Sequence, residues 1–498
     1  MRDCPQTDAH SDAPSGSDEL QIRKVGARLS GHIGRGDRGP AHHGRRTVDA
    51  RRGGIASLQE TRMNPTYQPR RAWLTAVLLF FFLVVNAMDK MVVGLLAAPM
   101  MDELGLTPAQ FGLVGSSFFW LFAVSGVLGG FLANRTPTSR LLVLMALAWS
   151  LCQIPIALSS SLAVLIVARV LLGFMEGPAA PVAIHACYKW FPNNRRNLPV
   201  AVLTQGAGIG IVLAGLLIPA VAAHWGWRTN FYLLAVLGVV WAVAWLALGR
   251  EGTLDERPAG HGAAGTGAPQ RLPYRVLLGD PTVLGCFALR LAAYWGLALC
   301  LTWIPAYLQS GLGFDHAVSG KLFALIVGTN LPLTIAIAWF SERLLARGVS
   351  SRVARGRVSA GMLLLAGGFF LMLLWPGTTP AMRVALLVLA CVCAPAIYSL
   401  GPAMLAEVVP AGQRGAVLAI DASVSSVAGV LAPLVTGVLV QNTPGARGFE
   451  LGLALCGAIM VVAALAGLCV VNPERSRQRL AARLPADVQA GQPAVAAG

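Results

Sequence analysis

Charged residues are scarce in this sequence, making up 12% of its 498 residues. An average soluble domain carries roughly 25%. A soluble protein of this length would also normally divide into several domains joined by polar linkers. Between Trp73 and Val471 the chain instead alternates long apolar runs with short polar breaks. The shortage of charge therefore excludes an ordinary soluble protein.

Signatures of several kinds of chemistry are also missing. The phosphate-binding loop G-x-x-x-x-G-K-[ST] is absent, since Gly320-Lys321 lacks both the upstream glycine and the following hydroxyl residue. No polar segment is long enough for a nucleotide-binding domain, which argues against a primary pump. Eight of the nine cysteines lie within apolar runs, without metal-ligand spacing to histidine, and are interpreted as small core side chains. We therefore expect no metal, no cofactor and no enzyme activity.

The apolar runs that the chain does contain are about 20 residues long, enough to cross a hydrocarbon core. Lipid offers no partner to an unpaired backbone amide, so each spanning segment must be helical. The sequence therefore predicts an all-α membrane protein with twelve transmembrane helices, at residues 73–97, 111–133, 140–158, 162–186, 199–222, 229–249, 281–308, 317–340, 358–375, 381–406, 413–439 and 449–471.

The longest break between runs, 250–280, divides these helices into two bundles of six, at 73–249 and 281–471. One set of loops, together with the tail 472–498, holds nineteen Lys and Arg residues, whereas the opposite loops hold four: Arg228, Lys321, Arg383 and Arg447. Positive loops stay in the cytoplasm. We expect a multi-pass membrane protein with both termini in the cytoplasm.

The segment 1–72 differs from the rest of the chain. It holds 13 of the 39 Lys and Arg residues and 8 of the 23 acidic ones. The rest of the basic excess lies mostly in short loops between apolar runs, so the net charge of +16 does not indicate a nucleic-acid-binding protein. Residues 1–62 lack apolar periodicity and an apolar signal-peptide core, which predicts disorder. Contact of this basic tail with anionic membrane lipid is one interpretation. The other is that translation starts at Met63.

Several charged residues fall inside the predicted helices. Each costs about 2.5 to 3.5 kcal/mol or more near the bilayer centre, so such residues are functional candidates. The first helix contains Asp89-Lys90, and the fourth contains Arg169 and Glu176. A separation of seven residues is close to two helical turns, so Arg169 and Glu176 should share a face, roughly 10 Å apart. The structural alternative is two buried ion pairs that only hold helices 1 and 4 together.

The functional interpretation follows from the chemistry of these four side chains. Lys90 and Arg169 supply positive charge and hydrogen-bond donors for an anion, and arginine offers a planar fork that matches a carboxylate. Burial favours the protonated form of Asp89 and Glu176, which makes them candidates for proton coupling. An anion site beside protonatable carboxylates is what proton-coupled uptake of an organic acid requires.

Two further charged residues lie in the second predicted bundle. Arg290, in helix 7, is interpreted either as a substrate-binding residue or as a side chain that snorkels to the membrane surface. Asp421, in helix 11, is a candidate partner for Arg290 and a further proton-coupling residue.

At these residues the chain resembles the anion:cation symporter branch of the major facilitator superfamily, over about residues 73–472. The charged quartet is similar to that branch's substrate and coupling motif. Gly130 to Arg140 resembles the superfamily signature of loop 2–3, and the Ser341-Glu342-Arg343 segment resembles a pattern after helix 8. Trp303, in the segment TWIPAYL, matches the branch's W-L-P-x-Y-L. The resemblance implies the major facilitator fold and adds Trp303 to the substrate-binding candidates.

The chain also departs from that pattern. Asn134 replaces the signature acid of loop 2–3, and Lys90 replaces the usual arginine of helix 1. Hydroxyl and amide residues that the branch often carries are replaced at Ala87, Phe122 and Ala422, while Ser426 keeps only a hydroxyl. A sugar acid would miss these donors, which favours a less hydroxylated carboxylate, either aromatic or short-chain.

Together these observations predict a monomeric proton-coupled symporter that imports an organic carboxylate by alternating access. Its partners would be a small organic anion, the proton and membrane lipid, with no nucleic acid. One alternative is an anion exchanger or exporter in which Asp89 and Glu176 gate the pathway. Another is a nutrient sensor that transports nothing. The loop 250–280 and the tail 472–498 are short for a signalling role.

Overall fold

The computed structural model describes residues 68–133, 135–192, 195–252 and 272–483. The predictions for the extension before residue 68, for the Met63 start, for Asn134 and for most of the 250–280 loop therefore lie outside the described residues. So does the part of the tail that follows residue 483.

Helices make up nearly all of the described chain, and several of the spans are interrupted. In the first half they are α1 Pro69–Leu95, α2 Ala97–Leu104, α3 Pro108–Ser117, α4 Phe122–Ala133, α5 Thr138–Leu158, α6 Leu162–Glu176, α7 Ala179–Tyr188, α8 Asn197–Trp225 and α9 Trp227–Leu248.

In the second half the helices are α10 Tyr274–Leu278, α11 Pro281–Thr302, α12 Ile304–Ala306, α13 His316–Gly328, α14 Asn330–Ala346, α15 Val358–Met372, α16 Pro380–Cys393, α17 Ala396–Val408, α18 Arg414–Asn442, α19 Ala446–Val470 and α20 Pro473–Ala481. Two π-helical segments, Tyr307–Gly311 and Arg352–Arg357, follow α12 and precede α15.

Eleven of the described helices or helix pairs are long and apolar enough to span a membrane. The remaining predicted span is the π-helical segment from Arg352 running directly into α15. The architecture is therefore an all-α membrane fold, consistent with twelve spans. Several predicted ends are off by a few residues: α1 begins at Pro69, and the ninth span runs from Arg352 to Met372 rather than over 358–375.

Proline and its neighbours explain where two spans break. Gly177-Pro178 separates α6 from α7, and Ala394-Pro395 separates α16 from α17. Proline lacks the amide hydrogen and clashes with the preceding turn, so each helix bends there. The breaks fall in the fourth and the tenth spans, which are equivalent positions if each half of the chain holds six spans.

The helices of the two halves approach most closely near one end of α1. We call the membrane face where α1 ends the Leu95 face, and the face where it begins the Pro69 face. A Cβ atom at Gly94 would collide with the carbonyl oxygen of Leu301, and one at Gly112 would lie 2.5 Å from that of Pro433. Small residues permit this backbone-to-backbone packing of α1 on α11 and of α3 on α18.

The opposite end of α18 is not packed in this way. A Cβ atom at Gly415, near its first residue, would meet no atom of the described chain within 4 Å. At Gly437, on the same helix, it would lie 2.7 Å from the carbonyl oxygen of Pro108. The two halves are therefore closed against each other at the Leu95 face, and Gly415 makes no comparable contact at the start of α18.

Candidate functional site

The first helix positions three polar side chains in the middle of an apolar segment. Asn86, Asp89 and Lys90 lie between Phe82 and Gly94 on α1, and the spacings of three and four residues place them on neighbouring parts of one helix face. Asn86 and Asp89 are buried, with exposed fractions of 3% and 0%. The apolar residues on either side fix the helix in the membrane and carry these groups to its centre.

The fourth span brings its two charged residues to the same place. Arg169 and Glu176 are both buried in α6, and Glu176 is the last residue of that helix. Glu176 Oε2 lies 3.8 Å from Lys90 Nζ of α1. The predicted juxtaposition of helices 1 and 4 through charged side chains is therefore present.

An asparagine that the sequence analysis did not select joins this pair. The Asn86 amide nitrogen donates to Glu176 Oε2 at 3.1 Å, and Lys90 Nζ donates to the Asn86 amide oxygen at 2.6 Å. Asn86 thus connects the ammonium and the carboxylate with both ends of its amide. An isolated asparagine in an apolar run gives no spacing signal, so only the helix packing reveals its role.

Asp89 has a separate partner on a third helix. Gln153 of α5 donates its amide to Asp89 Oδ1 at 2.9 Å, and both side chains are fully buried. Within the described chain, Asp89 Oδ2 and Gln153 Oε1 make no hydrogen bond. A buried charge is costly without pairing, so a carboxyl group with a single neutral donor is suited to holding a proton.

Arg169 differs from the other charged residues of this cluster because, among the described residues, no acid lies within ion-pairing distance of it. Its guanidinium lies 4.7 Å from the centre of the Phe118 ring, and its Nε and one terminal nitrogen are buried without a hydrogen-bond acceptor. Lys90 similarly lies over the Phe122 ring at 5.4 Å. A buried guanidinium with unused donors beside aromatic faces is suited to receiving an anion.

The second half of the chain holds the other predicted pair. Arg290 of α11 donates to Asp421 Oδ2 of α18 at 2.5 Å, and its guanidinium lies 5.8 Å from the centre of the Tyr398 ring. Asp421 is 1% exposed, so the pair is largely withdrawn from the protein surface. Arg290 is therefore ion-paired within the fold, with its Nε left without a partner among the described residues.

Four aromatic side chains connect the two charged clusters. Phe118 and Phe122 cover the cations of the first half, and the ring centres of Phe118 and Phe119 are 5.1 Å apart. The Phe119 ring contacts that of Tyr294 of α11 at 6.1 Å, in an edge-to-face arrangement. Aromatic rings therefore lie between the two charged clusters.

The structure does not bring Trp303 into this group. Its indole nitrogen donates to the carbonyl oxygen of Pro433 at 3.0 Å, and its ring packs against Phe111 and Phe449. Trp303 follows Leu301, which packs on Gly94, so it lies nearer the Leu95 face than Lys90 does. These contacts place Trp303 in the packing between the two halves.

Over the part of the chain that the structure describes, no three His, Cys, Asp or Glu side chains lie close enough together to hold a metal ion. The cluster in the first half consists instead of two cations, two carboxyl groups and two amides, and the second half adds the Arg290–Asp421 pair. This set can bind an anion and exchange protons, and it includes no obvious nucleophile for covalent chemistry.

Known proteins resemble this chain over most of its length. It is 28% identical to a probable chloroplastic anion transporter of Oryza sativa subsp. japonica, across 79% of this chain and 68% of the relative. It is also 28% identical to the hexuronate transporter of Bacillus subtilis, across 80% of this chain and 94% of that protein. A probable sulfoacetate transporter of Cupriavidus necator is 27% identical, across 82% and 96% of the two chains.

Solved structures resemble the fold as well. A bacterial homologue of the human lysosomal transporter Spinster, in an inward-facing and unoccupied conformation, superposes with a TM-score of 0.70 at 18% identity. The match covers 83% of this chain and 98% of that one. The family model of the Major Facilitator Superfamily matches residues 79–356 and 344–495. The chain therefore belongs to the Major Facilitator Superfamily of membrane transporters and is not an enzyme.

Proposed function

We propose that the protein is a proton-coupled symporter that imports an organic carboxylate anion across the bacterial inner membrane, with both termini in the cytoplasm. The observation that carries this proposal is Arg169, a buried guanidinium with no acidic partner among the described residues, next to Asp89 and Glu176. Relatives named as anion, hexuronate and sulfoacetate transporters support an organic anion as the cargo.

The coupling step rests on competition for the cations. In the described state Glu176 holds Lys90 at 3.8 Å, directly and through Asn86. Protonation of Glu176 removes the negative charge from this network and leaves Lys90 and Arg169 to the carboxylate of the substrate. Loss of that proton restores the pair and expels the anion. Asp89, which accepts only from Gln153, serves as the assisting proton site.

The conformational step rests on the asymmetry of the packing. Near Gly94 and Gly112 the halves 73–249 and 281–471 are in backbone contact, whereas Gly415 stands clear. In the proposed orientation the Pro69 face is cytoplasmic, and closure of the opposite face is what an inward-facing state requires. Rocking of the two bundles around the charged cluster would open the Leu95 face and close the cytoplasmic one.

The test is uptake by proteoliposomes of benzoate, isovalerate and glucuronate, each with and without an inward proton gradient. Symport predicts accumulation of at least one of these anions that collapses when the gradient is dissipated. Uptake that requires an internal anion and ignores the pH gradient would establish exchange instead. Absence of any carboxylate uptake by the wild-type protein would overturn the proposed substrate class.

Glu176→Gln separates coupling from binding, because the amide mimics the protonated acid. We expect counterflow exchange of the labelled anion to persist in this variant while gradient-driven accumulation is lost. The matched control is Glu103→Gln, which makes the same change at an exposed acid paired with Arg228. If Glu176→Gln still concentrates the anion, the proton travels elsewhere, with Asp89 the first candidate and Asp421 the second.

A further inference from the structure

A small apolar cavity lies in the second half of the chain, and Ile211 of the first half closes one side of it. Its volume is about 90 Å³, and residues of α11, α13, α14, α15, α16, α17 and the α16–α17 break form the rest of its wall. Most of the side chains that line it are aliphatic or aromatic, among them Ile211, Ala293, Leu297, Ile326, Val327 and Phe370. None of its lining residues is charged, although one of them, Tyr398, contacts Arg290 of the second charged pair.

The cavity lies at the same depth in the membrane as the cations. Gly94 of α1 packs on Leu301 of α11, and both helices run in the same direction, so Lys90 is level with Leu297 of the cavity wall. In α8, Gly210 packs on Val84 of α1, which places the neighbouring Ile211 about one turn from Lys90. A molecule bound through Arg169 and Lys90 would therefore lie level with this apolar wall.

Few polar groups are available in the cavity. Tyr398 contributes a buried hydroxyl that makes no hydrogen bond within the described chain. The amide oxygen of Asn330 already accepts from the Thr334 hydroxyl at 2.7 Å. A sugar acid placed here would leave most of its hydroxyl groups without partners, which opposes its binding.

A second carboxylate would also lack a partner. Arg290, the cation of the second half nearest to Tyr398, is held by Asp421 at 2.5 Å. Arg290 keeps an unused Nε, but Asp421 balances its charge, whereas Arg169 has unused donors and no acid within ion-pairing distance among the described residues. The charges therefore favour a substrate with one anionic group.

We propose that the transported anion is a monocarboxylate with a small apolar body, which binds Arg169 and Lys90 through its carboxylate and fills this cavity with its body. The inference rests on the proposed function and defines its substrate class. A water molecule occupies about 30 Å³ of liquid and an engineered apolar cavity of about 150 Å³ holds benzene. The volume here therefore suits bodies from a branched chain of four or five carbons to one ring at the cavity mouth.

The first measurement is the binding of a matched series of acids to the purified wild-type protein by isothermal titration calorimetry. Isovalerate and benzoate should each bind at least tenfold more tightly than acetate, which lacks the body, and than glucuronate, which is hydroxylated. Equal affinity for glucuronate and benzoate would overturn the inference while leaving carboxylate transport intact. Failure of every carboxylate to bind would overturn the proposed function as well.

The second measurement changes the size of the cavity in both directions. Leu297→Ala enlarges it and should raise the affinity for 2-naphthoate at least tenfold relative to isovalerate. Leu297→Phe fills it and should lower the affinity for benzoate at least tenfold, with acetate unchanged. Leu284 is exposed on the same helix and does not line the cavity, so Leu284→Ala and Leu284→Phe are the matched controls.

The two Leu297 substitutions should change the affinity for acids with a large apolar body in opposite directions. A general loss of folding would lower the affinity in both variants and so cannot produce this pattern. If both Leu297 variants keep the wild-type order of acids, the body of the substrate does not occupy the cavity and the inference is wrong. If only Leu297→Ala can be purified, its gain for the larger acid is sufficient support, and the wild-type series decides the matter independently.

Discussion

At the scale of single residues, the two cations of the candidate site differ in the partners that they already have. Arg169 has unused donors and an aromatic neighbour, whereas Lys90 is engaged by Asn86 and Glu176. This difference gives the two cations separate tasks. Arg169 would hold the substrate throughout the occupied state, and Lys90 would sense the charge of Glu176.

Arg169→Lys tests this division. Lysine keeps the charge but loses the planar fork, so we expect the binding free energy of benzoate to weaken by about 1 to 3 kcal/mol. Isothermal titration calorimetry in detergent measures the change. Arg228→Lys is the matched control, since Arg228 pairs with Glu103 outside the cluster. Unchanged benzoate affinity would assign Arg169 a purely structural role.

The sequence was sufficient to identify the charged members of this site but not the neutral ones. A charge in an apolar run is costly enough to demand an explanation, so Asp89, Lys90, Arg169 and Glu176 can be found without a structure. Asn86 carries no such cost, and its role depends on a contact across 90 residues of sequence. Gln153, which serves Asp89 from α5, was missed for the same reason.

Trp303 was selected on its similarity to a family motif, and its role as a substrate contact stays a prediction. Its indole nitrogen is occupied by the carbonyl oxygen of Pro433, and aromatic rings contact its ring.

At the scale of helices, two acids that follow the last spans of each half cap other helices at the Pro69 face. Glu251 accepts hydrogen bonds from the backbone amides of Thr138 and Ser139, at the start of α5, and from Lys189 Nζ at 2.5 Å. Glu474 accepts from the backbone amide of Arg352, at the start of the ninth span. A carboxylate at a helix N-terminus satisfies unpaired amides and interacts favourably with the helix dipole.

Glu251→Gln should weaken the α5 cap. Burial opposes ionisation of Glu251, but hydrogen bonds from Lys189, Ser139 and Thr138 outweigh it and lower the pKa of this carboxyl group. We expect the variant to lose about 1 to 2 kcal/mol of stability at neutral pH, seen as a lower thermal unfolding midpoint in detergent. Glu103→Gln is the control, with a smaller change because Glu103 is exposed.

The stability that Glu251 contributes to the folded protein should depend on pH in a definite direction. A carboxyl group whose pKa is lower in the folded protein stabilises it fully above the unfolded value, here 4.5. That contribution is lost as the pH falls through the lowered pKa. The difference between wild type and Glu251→Gln should therefore be constant near neutrality and shrink in acid. A difference that is the same at every pH would show that Glu251 acts without its charge.

Helix ends show how far hydropathy predicts the elements. The apolar runs located the spans, and the breaks lie at Gly177-Pro178 and Ala394-Pro395, residues that interrupt helices. The segment 352–357 was predicted as loop because the ninth apolar run begins at residue 358, yet it is helical and continues into α15. An apolar run marks the residues that lie in the hydrocarbon core of the membrane. The helix that contains them can extend beyond this core, so its ends are not marked by hydropathy.

At the scale of the whole molecule, the two halves are joined by glycine contacts near one membrane face. Gly112 of α3 lies against the backbone of Pro433 and Gly437 on α18, so any larger side chain at Gly112 must separate the helices. Along the helix axes Gly112 lies about 9 Å from Phe118, and Pro433 lies about 18 Å from Asp421. We expect a substitution at Gly112 to change the balance of conformations and to leave the proposed anion-binding side chains in place.

Gly112→Leu should therefore hold the protein open at the Leu95 face. We expect uptake of benzoate into proteoliposomes to be lost, while the affinity for benzoate in detergent stays within about tenfold of wild type. Transport by alternating access requires that each membrane face can close in turn, whereas binding requires only one of these conformations. Hydrogen–deuterium exchange should rise over 95–112 and 433–445. Gly368→Leu is the control, since a Cβ atom there would meet no described atom within 4 Å. Normal uptake by Gly112→Leu would show that the backbone contact at Pro433 is not part of the transport cycle.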